Sequence, residues 1–432
     1  MDRQGVQHGS PPGPRSFPIL AGPAGDRDIR IGLISPCGWG NLGDAAIQDS
    51  MLQGIRRHTG NRAAVRAFTL VPADTARRHG VPAGTIVGYS IPGTYGVQGE
   101  PATDQPLAVF RSEAAHLWRS WRALAELDLL IASGGGQIDE EWGGPWGHPY
   151  ALYRWARLAA MRHVPFAVLS TGTGRITSGL GRGMVRGALR RAAYRSFRDD
   201  GSRRLALPAG ARPDDPVVPD LAFGLAVPPL RADPEPAHRP VVGIAPIVFE
   251  SPRHWPVKDP QAYGAYLRRL AGAIEALAAA GYAYRWLVSD LSDQAAVTDA
   301  RALLGPDALA AELSRPRVAA VGDLVDALAN VHVLVASRLH AILLAYVVGT
   351  PAVGLSYDRK VDALMSDFEQ SAFRLDIRTF TPEGVRDLVT RLVRERSDAV
   401  PRISAHASRA REAVDAQYAR VLALADRKGG RP

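Results

Sequence analysis

The chain has 432 residues, of which 46% are apolar and 22% charged, a composition typical of a globular protein of about two domains. Its formal charge of +9 favours acidic partners such as phosphates, carboxylates or nucleotide sugars. The basic residues are scattered and do not form the stripe typical of nucleic-acid readers, so no nucleic-acid partner is expected. The single cysteine, Cys37, excludes an intrachain disulfide and a thiolate metal cluster.

The first 27 residues predict a disordered leader. They contain a proline-rich run and lack the sustained hydrophobic region of a signal peptide. The longest apolar stretch, 339–357, is interrupted by His340, Gly349 and Pro351, so no membrane span is expected. With one cysteine and no such segment, we expect a cytoplasmic protein.

Downstream of the leader, short apolar runs alternate with amphipathic segments. This alternation is typical of parallel βαβ units with helices on both faces of a sheet. In chain order, the first half predicts strand 29–35, helix 45–58, strands 64–71 and 85–91, helix 106–125, strand 128–132, helix 150–162 and strand 166–170.

A proline-rich segment, 224–240, has the composition of an interdomain linker, and the alternation starts again after it. The second half predicts strand 241–245, helix 261–280, strand 284–289, helix 324–330, strand 333–336, helix 339–348, strand 351–355 and a final helix 403–426. We therefore predict an α/β protein with two Rossmann-like domains facing across a cleft, 28–224 and 241–398. Linker 225–240 joins them, and a helix with a tail, 399–432, follows.

The most informative motif of the second half is Arg338 with His340. Both residues fall between strand 333–336 and the helix that follows, at the sheet edge where open α/β proteins bind ligands. A helix amino terminus there favours anions. The structural alternative is an arginine capping a domain interface and a buried histidine with satisfied hydrogen bonds.

The first half has two glycine loops at strand ends. In loop 36–44, Gly40 and Gly43 allow close backbone approach to a ligand, beside Asn41. The spacing matches neither the dinucleotide fingerprint nor a Walker loop. Asp44 is interpreted either as the cap of the next helix or as a catalytic or hydroxyl-binding carboxylate.

The second glycine loop, 133–137, includes Gly135, Gly136 and Gln137, and it leads to Glu141 and Trp142. Carboxylates bind sugar hydroxyls, and a tryptophan face stacks on a pyranose ring. Alternatively, the tryptophans fill a surface gap and the acids are solvated. Three ligand-type loops on parallel strand ends together favour a cleft enzyme.

These motifs, in this order, resemble the polysaccharide pyruvyl transferase family. The resemblance runs from about residue 29 to 368 and is carried by the segments 40–44, 133–136, 196–202, 219–223, 338–340 and 357–360. It implies a GT-B-like pair of Rossmann domains. It also implies transfer of pyruvate from phosphoenolpyruvate, as co-substrate, onto two hydroxyls of a sugar as a ketal, with release of phosphate.

The resemblance places the family's active-site arginine and histidine on Arg338 and His340. Bidentate arginine suits a donor with carboxylate and phosphate groups, so Arg338, helped by Arg253 or Lys360, is assigned to donor anions. His340 is either the acid that protonates the donor or the base that accepts a hydroxyl proton. Tyr357 is assigned to the substrate site with them.

Two features differ from the family's usual pattern. Segment 242–247 lacks the arginine that members commonly carry after the first strand of the second domain, so either Arg253 replaces it or donor binding differs. Ala45 stands where many members have an acid after the aspartate. The second feature bears on whether a carboxylate acts at that position in this chain.

Other functions stay open on the sequence. One is a GT-B glycosyltransferase using a nucleotide sugar, and another is a non-catalytic glycan-binding protein. No cluster has metal-ligand spacing, so neither a metal nor a cofactor is expected. The acceptor is a sugar that is free, nucleotide-linked, lipid-linked or part of a glycosylated compound; its identity and the oligomeric state are not predicted.

Overall fold

The structure of the chain is a computed structural model, which describes residues 29–38, 40–60, 62–91, 106–227, 239–253, 255 and 257–429. The leader predicted at 1–27 and the central part of the linker, 228–238, lie outside the described residues. Within the described part, the chain forms two sheets with parallel strand pairings, flanked by helices. No helix in this part is long and apolar enough to cross a membrane.

The first domain is built on a seven-stranded sheet. Its elements are β1 (Ile29–Ile34), α1 (Leu42–Thr59), β2 (Ala63–Thr69), α2 (Pro72–His79), β3 (Ala83–Thr85), α3 (Pro106–Ala125), β4 (Leu129–Ala132), β5 (Gly135–Ile138), α4 (His148–Met161), β6 (Phe166–Thr173), α5 (Gly179–Leu189), β7 (Tyr194–Phe197) and α6 (Asp200–Ala206). The strand order is β3-β2-β1-β4-β6-β5, with β7 also paired to β6. Every residue of β4 and β6 is buried, which accounts for the apolar sequence of β4 and of the first half of β6.

The second domain is built on a five-stranded sheet. Its elements are β8 (Val241–Ala245), α7 (Pro260–Ala279), β9 (Ala283–Trp286), α8 (Gln294–Arg301), α9 (Pro306–Ala310), α10 (Val321–Ala329), β10 (Val333–Ala336), α11 (Leu339–Val347), β11 (Ala352–Ser356), α12 (Arg359–Asp367), β12 (Arg374–Asp376), α13 (Pro382–Arg394) and α14 (Arg396–Gly429). The strand order is β12-β11-β10-β8-β9.

Two predicted segments differ in the structure. Residues 86–91, the end of the predicted strand 85–91, lie beyond β3, and residues 86–89 form bends. There the carbonyl of Ile86 accepts a hydrogen bond from Trp155 Nε1 at 2.8 Å, so the apolar run packs under the helices without joining the sheet. Gly135 to Gln137, predicted as loop, belong to β5, which pairs with β6 through a register shift. The prediction of a loop was wrong here, because two glycines in four residues are unusual for a strand.

The last helix, α14, begins earlier than the predicted residue 403 and packs back across the first domain. Its Tyr418 is fully buried against α1, where a Cβ placed on Gly54 would lie 2.4 Å from the ring. Gln417 Nε2 donates to Ser170 Oγ at 3.1 Å, and Arg57 pairs with Asp415 at 3.1 Å. The helix thus joins the end of the second domain to the first.

The two domains also meet directly at the sheet edges. Asn41 and Asp290 form an isolated antiparallel bridge. Around it, Leu42 N donates to Ser289 O at 2.9 Å and Leu291 N donates to the carbonyl of Gly40 at 3.2 Å. Gly40 has a φ of +78°, and a Cβ there would lie 2.5 Å from Leu291. The loop after β1 is therefore held against the loop after β9.

Candidate active site

The loop after β1 presents a helix start to the interdomain cleft. Asn41 caps α1, since its side chain accepts hydrogen bonds from Gly43 N at 2.9 Å and Asp44 N at 3.3 Å. The interpretation of Asp44 as the cap is therefore wrong. The half-buried carboxyl of Asp44 has a raised pKa. Burial and the nearby carboxylates of Asp290 and Asp220 raise this pKa, and together they outweigh His340, which lowers it.

His340 stands in the first turn of α11 and packs its ring against α1 of the other domain. A Cβ on Gly43 would lie 2.1 Å from His340 Nδ1, so only glycine leaves room for the imidazole in this position. Nε2 lies 3.6 Å from Asp220 Oδ2, just beyond hydrogen-bond distance, and is buried without a hydrogen bond to any described residue. The imidazole therefore sits where the two domains meet.

Asp220 supplies a fixed negative charge beside this imidazole. It is 2% exposed, and its second neighbour is Arg198, whose Nη1 lies 3.3 Å from Oδ2. Burial alone would raise the pKa of Asp220, but the interactions with His340 and Arg198 outweigh it and bring the pKa to about 2. Asp220 is thus a carboxylate at any physiological pH.

Arg338 is a rigidly held cation at the same edge. Its Nε and Nη2 bind both oxygens of the buried Asp293 at 2.7 and 2.8 Å, and Nη2 lies 3.6 Å from Asp290. Burial would lower the pKa of Arg338, but the two carboxylates raise it, so the guanidinium stays charged. Nη1 takes no part in these bonds. Both carboxylates belong to the second domain, like Arg338, so these ion pairs do not cap the domain interface as the structural alternative expected.

Tyr357 and Lys360 form a further wall after β11. Lys360 Nζ lies 5.5 Å from the centre of the Tyr357 ring and 3.8 Å from Asp358, and the lysine side chain is 36% exposed. Tyr357 packs against Trp255 with ring centres 5.5 Å apart. The aromatic contacts fix the tyrosine and leave the ammonium group accessible to a ligand.

The second glycine loop reaches the same cleft, but not with all of its predicted residues. A Cβ on Gly135 would lie 3.5 Å from Asp44 Oδ1, whereas one on Gly136 would face Asp139 at 3.3 Å. Gln137 is buried, and its amide nitrogen donates to the carbonyls of Ser133 and Gly134. Gln137 therefore braces the loop, and the structure does not bring it to the cleft surface.

Glu141 and Trp142 follow on the turn before α4. The pKa of Glu141 is raised by desolvation and by Asp139, while Lys360 and Arg338 oppose the rise. Two cations of the second domain therefore act electrostatically on Glu141 of the first domain. Trp142 is half-buried, and its ring stacks on no aromatic ring of the residues that the structure describes. The assignment of both residues to substrate stays a prediction.

Arg253 is not brought together with Arg338. Its guanidinium pairs with Asp299 of α8 at 3.2 Å and is 64% exposed, and Tyr263 donates to the same carboxylate at 2.9 Å. Asp299 thus holds Arg253 on the outer part of the loop after β8. A donor-binding role for Arg253 needs that ion pair to exchange for the substrate.

Cys37 forms a hydrogen-bonded chain in the loop after β1. Its Sγ lies 3.4 Å from His79 Nε2, and His79 Nδ1 lies 2.7 Å from Asp49 Oδ1. The order resembles a nucleophilic triad, but the thiol is 1% exposed and burial raises its pKa. A protonated, inaccessible thiol is not a nucleophile. The hydrogen bonds from Cys37 through His79 to Asp49 therefore support the conformation of the glycine loop.

Sequence reasoning did not assign several residues that the fold brings to this site. They are Asp220 and Arg198 beside His340, Asp290 and Asp293 beside Arg338, and the buried His148 near Asp44 and Glu141. Asp220 and Arg198 lie in motifs that carried the family resemblance, and that was their signal. Asp293 follows β9 in a loop with no glycine or aromatic pattern. In the described residues, no three His, Cys, Asp or Glu side chains are arranged to hold a metal ion.

The fold is that of two-domain GT-B proteins. Alr3699/HepE of Anabaena, solved in complex with UDP and glucose, is 14% identical with a TM-score of 0.53, covering 91% of this chain and 99% of that one. The UDP-GlcNAc 2-epimerase of Neisseria meningitidis is 10% identical with a TM-score of 0.55, covering 91% and 100%. The glycosyltransferase SnogD of Streptomyces nogalater is 17% identical with a TM-score of 0.52, covering 92% and 100%.

The family model for polysaccharide pyruvyl transferases matches residues 41–359, about three quarters of the chain. The protein therefore belongs to the polysaccharide pyruvyl transferase family, and the resemblance carried by its motifs is confirmed. A comparison with curated proteins gave no match.

Proposed function

We propose that this protein transfers pyruvate from phosphoenolpyruvate to two hydroxyls of a sugar, forming a ketal and releasing phosphate. One observation carries the proposal. His340 of the second domain lies between Gly43 and Asp220 of the first, so a titratable imidazole stands at the seam of the two domains. A donor bound on one wall and an acceptor bound on the other would meet at this group.

The reaction needs one group that donates a proton to the methylene carbon, and it needs acceptors for the protons of the two sugar hydroxyls. A proton added to the methylene carbon of phosphoenolpyruvate gives an oxocarbenium-like carbon, to which the first sugar oxygen bonds as its hydroxyl proton leaves. The carbon–oxygen bond to phosphate then breaks, and the second sugar oxygen closes the ketal with loss of its proton. Of the two hydroxyl protons released, one restores the acid that protonated the methylene carbon, and the other leaves with the phosphate as hydrogen phosphate.

We assign His340 to the first proton transfer. The ionised Asp220 carboxylate lies 3.6 Å from its Nε2 and attracts a positively charged imidazole ring. From its place between the two walls, the imidazole can reach a bound donor and give a proton to the methylene carbon as a general acid. The raised pKa of Asp44 makes that carboxyl a candidate to exchange protons with the acceptor hydroxyls.

The donor's carboxylate and phosphate need fixed cations. Arg338 offers Nη1 while Asp293 holds its other nitrogens, and Lys360 is accessible beside Tyr357. Both cations follow strands of the second domain, so we assign this wall to the donor. The glycine loop, Glu141 and Trp142 belong to the first domain, and we assign them to the acceptor.

The experiment is incubation of the protein with phosphoenolpyruvate and a panel of acceptors: free, nucleotide-linked, lipid-linked and glycosylated. We expect a pyruvate-ketal mass gain together with phosphate release. A parallel panel of nucleotide-sugar donors tests glycosyl transfer, since the similar Alr3699/HepE structure contains UDP and glucose. Turnover with nucleotide sugars alone would contradict the proposal, and acceptor binding without turnover would favour a glycan-binding protein.

His340→Asn tests the assigned role. General acid–base catalysis contributes about 10²–10⁴-fold, so turnover is expected to fall by that factor while the protein stays folded. His163→Asn is the matched control, because His163 is exposed and has a φ of +54°, a conformation that asparagine tolerates. Near-normal turnover of His340→Asn would overturn the role of the imidazole.

A further inference from the structure

Helix α3 exposes large apolar side chains on one face. Leu107 is 77% exposed, Phe110 73% and Trp118 59%. The spacing places all three within about 80° of one another around the helix axis. Exposed apolar side chains that share one face of a helix mark an interaction surface more often than isolated ones do.

The flank of this apolar face is positively charged. Arg111 and Arg122 lie beside it, and the guanidinium carbon of Arg122 is 4.8 Å from the centre of the Trp118 ring. From α4, the guanidinium of Arg162 covers Trp121 at 4.5 Å. The exposed charges of α3 are therefore all positive, because Glu113, the only acidic residue of this helix, points inward.

That acidic residue, Glu113, belongs to a buried network on the opposite face. Its carboxylate accepts hydrogen bonds from Gly88 N at 2.7 Å, Tyr150 at 2.9 Å and Arg154 at 3.1 Å. Arg154 also donates to Ser120 at 3.0 Å. These bonds fix the rotation of α3, so the apolar face cannot turn into the core.

We propose that α3 docks this protein on the surface of an anionic phospholipid bilayer. Aromatic and aliphatic side chains beside arginines, with no exposed carboxylate on the helix, match the layer where lipid headgroups meet acyl chains. Arginines at this depth are attracted to anionic headgroups. A protein partner would need a complementary acidic surface, and nothing in the described chain favours one over lipid.

The start of α3 lies on the same side of the first domain as residues of the candidate site. Helices α3 and α4 run in the same direction, since Glu113 pairs with Tyr150 near the start of α4 and Trp121 with Arg162 just after its end. Leu107 and Phe110 therefore lie at the end of α3 nearest to His148 and the turn that carries Trp142. The proposal concerns binding alone and does not depend on the reaction.

The test is co-sedimentation of the full chain with vesicles of phosphatidylcholine, with and without phosphatidylglycerol, at low and high salt. We expect binding to the anionic vesicles at low salt and its loss in high salt or without phosphatidylglycerol. Phe110→Ser with Trp118→Ser is expected to weaken binding about tenfold or more, and Arg111→Glu with Arg122→Glu by a similar factor.

Two controls separate docking from general charge and folding effects. Arg409→Glu with Arg411→Glu makes the same change in net charge on the exposed surface of α14, and Val257→Ser removes an apolar side chain that is 70% exposed elsewhere. Both controls are expected to bind like the unmodified protein. Failure to bind anionic vesicles at low salt would overturn the proposal, as would equal losses in the α3 variants and the charge control. A dimer in sedimentation velocity that Trp118→Ser abolishes would overturn it in favour of a second copy.

Discussion

At the scale of single residues, two glycines and two carboxylates define the candidate site more sharply than its cations do. Gly40 and Gly43 lack side chains where atoms of the other domain come closest, Asp220 lies beside the imidazole, and Asp293 binds the guanidinium. Neither carboxylate is near its partner in sequence. The position of His340 therefore depends on how closely the domains approach one another, whereas Arg338 is fixed within the second domain.

Gly43→Ala tests this dependence. The new Cβ would lie 2.1 Å from His340 Nδ1, so the ring must move, while alanine favours helix formation by about 1 kcal/mol over glycine. We expect turnover to fall about 100-fold, as for a misplaced catalytic group, with little change in melting temperature. Kinetics and thermal melting measure the two effects.

Gly183→Ala is the matched control for that variant. Gly183 lies in α5, and a Cβ there has no atom within 4 Å. It should keep full activity. If Gly43→Ala is as active as this control, the packing of His340 against α1 does not matter for the reaction.

Asp139 predicts a pH dependence of stability. Burial raises its pKa from 3.8 to about 6, so between these values the folded protein binds more protons than the unfolded chain. Stability therefore falls as pH rises through this window, and the loss persists above it. Asp139→Asn removes the buried charge and should raise the free energy of unfolding above about pH 7 by up to about 3 kcal/mol, but not near pH 4. Denaturant titrations at the two pH values measure the difference.

Asp387→Asn, at an exposed position, is the control for Asp139→Asn. It should change the free energy of unfolding by less than about 0.5 kcal/mol at either pH. An equal effect of Asp139→Asn at both pH values would show that the gain comes from packing and not from the titration of a buried carboxyl.

At the scale of elements, the parts of the fold that could be predicted are those that a local pattern encodes. The unit β10–α11–β11 was predicted within one residue, because both strands and the helix are almost entirely buried and their sequence is continuously apolar. β5 could not be predicted, since it is short, contains two glycines and depends on pairing with β6. The same limit applies to the site: Arg338 and His340 were found, whereas Asp293 is defined only by the tertiary ion pair that it makes.

At the scale of the whole molecule, one of two packed cores connects the domains, and the other lies within the first domain. One cluster of buried apolar residues includes Ile31 of the first sheet, Val242 of the second and Tyr418 of α14. Helices α1, α11 and α14 meet between the sheets and carry this continuity. A cleft built on such a core opens and closes only as far as its packing allows, which favours a site with prearranged groups.

The shared core predicts that the two domains unfold together. Calorimetry of the full chain is expected to give one transition, and Tyr418→Ala should shift that whole transition to lower temperature, since removing a fully buried aromatic side chain costs about 3–5 kcal/mol. Arg411→Ala, on the exposed side of the same helix, should leave it in place. If Tyr418→Ala instead separates two transitions, the domains are stable on their own and α14 only links them. The position of His340 against Gly43 would then depend on domain closure instead of on a permanently packed interface.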